Sequence, residues 1–213
     1  MLVRDVMTKN PITIDIKASV REAHDLMKKN NINKLPVVDK SGALVGIITS
    51  NDLQRTSPSE ATTLDMYELS YLLSKLTVEN TMVKNVITVE ETETVETAAK
   101  KMADGDFGCL PVMKDKILVG IITDSDLFKI FINMFETNVP SVRAVVTMAD
   151  ASGALAKFSQ KIADANGNIV TCVATDADNP KDRKVTIKVT GLKLDTFKQI
   201  CESCGTVSDI REV

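Results

Sequence analysis

The sequence predicts an α+β protein made of two tandem copies of one small unit and a third unit of different pattern. Three observations carry this. The run Leu44-Val45-Gly46-Ile47-Ile48-Thr49-Ser50-Asn51-Asp52-Leu53 recurs from Leu118 to Leu127 with eight of ten positions identical. Upstream, residues 3–39 laid on 78–114 share 12 of 37 residues, among them Met7/Met82, Met27/Met102 and Leu35-Pro36-Val37/Leu110-Pro111-Val112. The period is 75 upstream and 74 downstream, because the turn Asp39-Lys40-Ser41-Gly42 is one residue longer than Lys114-Asp115-Lys116. An indel confined to a turn is the mark of a duplicated structure, since loops absorb length cheaply. From Ser141 the pattern is new.

Each copy reads strand, helix, strand, strand, helix. Pro11-Ile12-Thr13-Ile14 reads as a short strand, and 18–29 as a helix with Val20, Ala23 and Met27 on one face. Ser19 or Ala18 starts that helix and Asn30-Asn31 ends it. Residues 35–38 and 44–48 are β-branched runs around a Gly-containing turn, hence a hairpin, and a second helix follows Asn51-Asp52. The second copy gives a helix over 95–102 and strands over 110–113 and 117–122. Between the copies, Ser57-Pro58-Ser59 marks a turn, and Met66, Leu69, Leu72 and Leu76 suggest a short helix. Apolar groups crowd nearly every side of residues 127–135, so that helix is expected to be buried on more than one side, against another domain or subunit. The last unit reads as strand 142–147, a helix with Leu155, Phe158 and Ile162, strands 169–175 and 184–189, a helix capped by Asp195, and strand 206–210. That order, βαββαβ, is the split βαβ arrangement of ferredoxin-like domains. The expected domains are 1–56, a linker at 57–76, 77–135, and 140–213.

Composition excludes several classes. The chain has 213 residues, a net charge of −3, and scattered rather than clustered Lys and Arg. Nucleic-acid binding is therefore not expected, because backbone affinity needs clustered cations. Arg4 and Asp5 interrupt the start, so no signal peptide is expected. No stretch of about 18 apolar residues predicts a membrane span. Four cysteines without a regular framework suit a reducing cytoplasm. No nucleophile paired with a base, no metal cluster and no Walker-type phosphate loop is present, so no catalytic residue is assigned and an enzyme is not expected.

The repeated Gly-x-x-Thr-x-x-Asp stands where a strand hands over to a helix. Free backbone N–H groups there favour phosphate, a Thr hydroxyl can donate to a phosphate oxygen, and the Asp can accept from a ribose diol. Thr49 and Thr123 equally suit helix caps, with Asp52 and Asp126 in the favourable first turn. The residues alone leave both readings open.

The opening Val3-Arg4-Asp5-Val6-Met7-Thr8, the Thr13 strand, Asn33-Lys34-Leu35-Pro36-Val37-Val38 and the Gly46-to-Asp52 phrase together resemble cystathionine-β-synthase (CBS) domains over 1 to about 132. The resemblance implies a regulatory pair that binds AMP, ADP, ATP or S-adenosylmethionine in clefts built crosswise. One cleft would use Thr13, Ile14, Asn33, Lys34 and Pro36 with Thr123 and Asp126; the other Thr88, Val89, Gly108, Cys109 and Pro111 with Thr49 and Asp52. Because Lys34 aligns with Cys109, a cation for phosphate is expected in the first cleft alone, and that cleft is expected to bind nucleotide more tightly.

The tail resembles an ACT domain. Asp150-Ala151-Ser152-Gly153 matches its Asp-x-x-Gly turn, which implies a possible amino-acid site at Asp150 and Gly153, although Ser152 replaces the family's frequent Pro. The resemblance implies a homodimer formed through CBS and ACT domains. Cys201-Glu202-Ser203-Cys204 has metal spacing without a second pair, and reads as small residues at a helix end. His24 has no second histidine to work with. The whole domain order resembles acetoin-utilisation accessory proteins. The expected function is ligand sensing with an unknown regulated partner; the alternative is a structural or oligomerisation module without a ligand.

Overall fold

Hydrophobic spacing and turn chemistry set the elements of the two copies. The computed structural model describes residues 1–56, 76–135 and 139–213; the expected linker helix near Met66 and Leu69 lies outside them. The first copy contains α1 (Val3–Val6), β1 (Thr8–Lys9), β2 (Ile14–Asp15), α2 (Val20–Asn30), β3 (Lys34–Val38), β4 (Leu44–Thr49) and α3 (Ser50–Thr56). The second contains α4 (Val78–Thr81), β5 (Val89–Glu90), α5 (Val95–Gly105), β6 (Cys109–Lys114), β7 (Ile117–Thr123) and α6 (Asp124–Met134).

Ser19 starts α2 with a capping box: its hydroxyl accepts from the Glu22 N–H at 3.2 Å, and the Glu22 carboxylate accepts from the Ser19 N–H at 2.7 Å. Asn31 ends the helix at φ 53°, a left-handed conformation that Asn tolerates through its short polar side chain. In the second copy Thr94 accepts from the Thr97 N–H, and α5 runs to Gly105, three residues beyond the end read from the sequence, with Asp106 as its C-cap at φ 53°. The expected strand at residues 11–14 is shorter, with only Ile14 and Asp15 paired in β2.

The two copies exchange their first helices. β2, β3 and β4 form a three-stranded sheet in which β2 runs parallel to β3 and β3 antiparallel to β4. The other sheet, β1-β7-β6-β5, takes β1 from the first copy, with Thr8 paired to Ile121. Val3 of α1 is fully buried among Val89, Leu110, Val112 and Ile122 of the second copy. Reciprocally, Val78 and Met82 pack with Ile14, Leu35, Val37 and Ile48 of the first. The backbone fixes both exchanges: Val78 and Glu79 N–H donate to the carbonyls of Ala18 and Ile16, and Val3 and Arg4 N–H to those of Glu93 and Glu91. Burying one valine is worth about 1.5–3 kcal/mol, so neither core is complete without its neighbour's helix.

Residues 1–129 form one compact unit and 130–213 a second. The second holds β8 (Val142–Ala149), α7 (Ala154–Asp164), β9 (Asn168–Asp176), β10 (Asp182–Thr190), α8 (Leu194–Glu202) and β11 (Thr206–Glu212). Its sheet order is β11-β8-β10-β9, antiparallel throughout. Alternating Val142, Ala144, Val146 and Val185, Ile187, Val189 pack against Phe158, Ile162, Phe197 and Cys201 of the helices. Two details differ from expectation. Lys193, not Asp195, is the N-cap of α8, and Asp195 lies in the first turn, where its charge still suits the helix dipole. In the apolar helix α6 only Ile130 is buried, while Phe128 and Phe131 are 66% and 59% exposed.

Candidate functional site: two crosswise clefts

The exchange of helices creates the clefts. After Thr8 pairs with β7, the chain must cross to the other sheet before Ile14 can pair with Val37 in β3. Asn10, Pro11 and Ile12 make that crossing, and Asn10 takes φ 48° to turn it. Val83 likewise bridges to Ile47, and Asn85, Val86 and Ile87 cross before Val89 pairs with Val112. Each crossing forms one wall of a cleft whose other wall is the strand-to-helix turn of the opposite copy.

The first cleft encloses about 410 Å³ and is lined by Asn10, Pro11, Ile12, Asn33, Lys34, Ile121, Thr123 and Asp126. The second encloses about 610 Å³ and is lined by Asn33, Lys34, Ile47, Thr49, Asp52, Ile87, Phe107, Gly108 and Cys109. Both volumes fall in the range of small-molecule sites. Each cleft has an apolar slot, Ile12 with Ile121 or Ile87 with Ile47, fit for a flat ring.

The structure thus brings Asn33, Lys34, Thr123 and Asp126 to one cleft and Thr49, Asp52, Gly108 and Cys109 to the other. It does not bring Thr13, Ile14, Pro36, Thr88, Val89 or Pro111. Ile14 and Val89 are buried in the cores of their copies. Pro36 and Pro111 are buried mid-strand opposite Ile47 and Ile121. Thr88 lines a different groove with Ala43 and Met113. The wall residues are Ile12 and Ile87, one step before the predicted threonines. Their 39% and 47% exposure as large apolar side chains is not visible in a sequence pattern.

At the turn before α3, the Thr49 hydroxyl and N–H donate to Asp52 Oδ2 at 2.7 and 2.9 Å, and the Asp52 N–H donates to Thr49 Oγ1 at 3.3 Å. Thr123 and Asp126 repeat this before α6, at 2.8, 3.0 and 3.3 Å. Cap and candidate ligand are therefore the same residues. The cap uses Oδ2 and, among the described residues, leaves Asp52 Oδ1 without a partner as an acceptor; the matching Asp126 Oδ1 meets Lys129 at 3.4 Å.

Lys34 does not belong to the first cleft alone. Its ammonium donates to the Gly108 carbonyl at 2.7 Å and pairs with Asp124 at 3.3 Å, so it stands in the partition and lines both clefts. Burial raises the Asp124 carboxyl, but the Ser125 N–H and the charge of Lys34 outweigh it and hold the group below its ordinary range. The pseudo-equivalent positions, Cys109 and Ser50, carry no charge. Burial pushes the Cys109 thiol up to about 11, which leaves it protonated and weakly nucleophilic at neutral pH.

A family model described as the CBS domain matches residues 3–59 and 78–133, more than half of the chain. The chain belongs to the CBS domain family. Its CBS pair is 38% identical over 131 residues to L-aspartate semialdehyde sulfurtransferase of Methanocaldococcus jannaschii, covering 61% of this chain and 23% of that enzyme. The chain therefore spans less than a quarter of the relative's length, and the shared stretch is the CBS part. A CBS domain-containing protein of Dictyostelium discoideum is 34% identical over 141 residues, covering 66% of this chain and 97% of the relative. Among solved structures, the CBS domain pair of protein MJ0100 in complex with 5′-methylthioadenosine and S-adenosyl-L-methionine aligns with TM-score 0.51 and 38% identity, over 62% of this chain and 95% of that one. A Vibrio cholerae protein assigned to acetoin utilization (AcuB) aligns with TM-score 0.53 and 32% identity, over 64% and 93%. CBSX2 in complex with AMP aligns with TM-score 0.50 and 29% identity, over 62% and 96%.

Beyond the CBS pair, Asp150 is exposed and its N–H donates to the Lys181 carbonyl. Gly153 caps α7 at φ 80°, a backbone that favours glycine. Cys201 is fully buried in the core and its thiol is pushed up to about 12 by burial. Among the described residues no group of three or more His, Cys, Asp or Glu could hold a metal ion, and no helix is long and apolar enough to cross a membrane.

Proposed function

We propose that the CBS pair is a sensor of adenosine-type ligands, with one ligand class per cleft entering between the Ile wall and the Thr-x-x-Asp turn. The observation that carries this reading is the pairing, in both clefts, of an apolar slot with a carboxylate already oriented by its own threonine. The adenine ring fits the slot, the ribose diol can donate to the carboxylate, and phosphate or carboxylate groups extend toward the helix N-terminus and the partition. The known ligands of the related CBS pairs, S-adenosylmethionine, 5′-methylthioadenosine and AMP, support it. Site residues on this reading are Asn33, Lys34, Thr123 and Asp126 in one cleft and Thr49, Asp52, Gly108 and Cys109 in the other.

The ferredoxin-like second unit acts on this reading as an ACT-type module that carries the signal onward and contributes to a homodimer; its βαββαβ order and the Gly153 turn support this. An amino-acid ligand at Asp150 and Gly153 belongs to the same reading. The likeness to the Vibrio cholerae protein supports a role in acetoin metabolism. The whole protein acts in the cytoplasm as a regulator rather than as an enzyme. Ligand shifts the pair only by its differential affinity for two arrangements.

Titration calorimetry of the full chain with AMP and with S-adenosylmethionine tests the reading. Saturable binding to the unmodified chain that weakens in Asp52→Ala or Asp126→Ala is expected. No binding of either compound would reject it in favour of a structural module.

A further inference from the structure

The two clefts carry different charge. Among the described residues, the cations Lys34 and Lys129 and the carboxylate Asp126 face the first. Facing the second are Lys34 and Arg55 against Asp52, Asp106 and Asp124. Lys34 is common to both, so however it is counted, the second cleft is more negative by two charges among the described residues. The asymmetry arises at aligned positions of the duplication: Asp124 stands where the first copy has Ser50, and Asp106 where it has Asn31.

A second difference points the same way. Phe107, 40% exposed, lines the second cleft, where the aligned position lining the first is Ile32. An aromatic face attracts a cation through its quadrupole, and an aliphatic side chain does not. The Lys34–Asp124 pair also uses much of the ammonium's hydrogen-bonding capacity on the second cleft's side, through Asp124 and the Gly108 carbonyl.

Building on the proposed adenosyl-sensing function, we infer that the clefts divide the ligands by charge. The first takes phosphorylated adenosine, an anion met by Lys34 and Lys129. The second takes an adenosyl sulfonium compound, whose positive sulfur is met by Asp106, Asp124 and the face of Phe107. The protein then reads two metabolite classes at once, and Lys34 stands in the wall between them.

The test is calorimetry of the full chain with AMP and with S-adenosylmethionine, each alone and each after saturation with the other, on the unmodified chain, Lys129→Gln and Asp106→Asn. Both variants keep the fold: Lys129 is exposed, and Asn is at home in the left-handed cap that Asp106 occupies. One charge removed at a solvated cleft changes affinity by about threefold. Lys129→Gln is expected to weaken AMP by that factor and leave S-adenosylmethionine unchanged; Asp106→Asn is expected to do the reverse. In the unmodified chain, saturation with one ligand is expected to leave a full equivalent of sites for the other. Competition for one cleft, or both ligands moved alike by either variant, overturns the division while leaving adenosyl sensing intact. No binding of either ligand overturns both.

Discussion

The sulfur of Met82 occupies the space that a side chain on Gly46 would need: a Cβ built there would collide with it and stand 3.0 Å from the Val83 carbonyl oxygen. The Met7 sulfur stands in the same relation to Gly120, with the Thr8 carbonyl oxygen at 3.1 Å. These glycines let each exchanged segment lie flat on the sheet it visits, where Val83 bridges to Ile47 and Thr8 pairs with Ile121. Gly46→Ala and Gly120→Ala are each expected to lower stability by about 1–3 kcal/mol through overpacking. Urea denaturation checks it. Combining Gly46→Ala with Met82→Ala should be non-additive, because the two residues share one space. Strict additivity would show that the methionine does not enforce the glycine.

The exchange of α1 and α4 makes stability crossed. Val3 and Val78 are each fully buried in the other copy's core, so Val3→Ala and Val78→Ala are each expected to cost about 2 kcal/mol. The location of the damage is the sharper test. Removing residues 1–9 should raise hydrogen exchange at Leu110 and Val112 of the second copy more than at Leu35 and Val37 of the first. Faster exchange confined to the first copy would contradict the exchanged cores.

How far the sequence carried this fold is clear from the same residues. The start of α2 was legible because Ser19 announces a cap, and the hairpins because the turns Asp39-Lys40-Ser41-Gly42 and Lys114-Asp115-Lys116 sit between β-branched runs. The repeat itself was legible down to the one-residue indel. The exchange was not, because Val3 and Val78 occupy aligned positions and would be buried equally well whichever copy received them. Nor does a local pattern show that Ile12 and Ile87 line the clefts. Periodicity shows that Ile14 is apolar and faces a core, but not that residues 10–12 must cross between two sheets. The partners of Lys34 depend on a contact 90 residues away in sequence, which no local pattern encodes.

Asp124 ties the partition to pH. Its carboxyl is held below its ordinary value of 3.8, against the opposing effect of burial, by the Ser125 N–H and by Lys34. A carboxyl with a lower value in the folded chain contributes stability that is fully present above pH 3.8 and is lost as pH falls through the folded value. The pair is half exposed on the Asp124 side, so the contribution is expected to be below about 1 kcal/mol. Urea midpoints measured between pH 7 and pH 3 should fall less steeply for Asp124→Asn than for the unmodified chain on the acid side. Parallel curves would mean that the pair adds nothing to folding.

Cysteine chemistry reports on the second cleft. The Cys109 thiol is pushed up to about 11 by burial, with Lys34 opposing and Asp124 reinforcing the rise, and Cys201, pushed up to about 12, has no exposed surface. Cys172 is exposed, and burial raises its thiol as well. Alkylation proceeds through the thiolate, so iodoacetamide at pH 7.5 is expected to modify Cys172 first, Cys109 more slowly and Cys201 last, as read by peptide mass spectrometry. Replacing Lys34 with Met removes a neighbour whose charge favours the Cys109 thiolate and should slow that site further without changing Cys172. Because Cys109 lines the second cleft and Cys172 lies in the other unit, S-adenosylmethionine should protect Cys109 and leave Cys172 reacting at its free rate. Equal protection of both thiols would indicate a general tightening of the chain instead of occupancy of the cleft, and a Cys109 rate matching Cys172 would refute the burial argument itself.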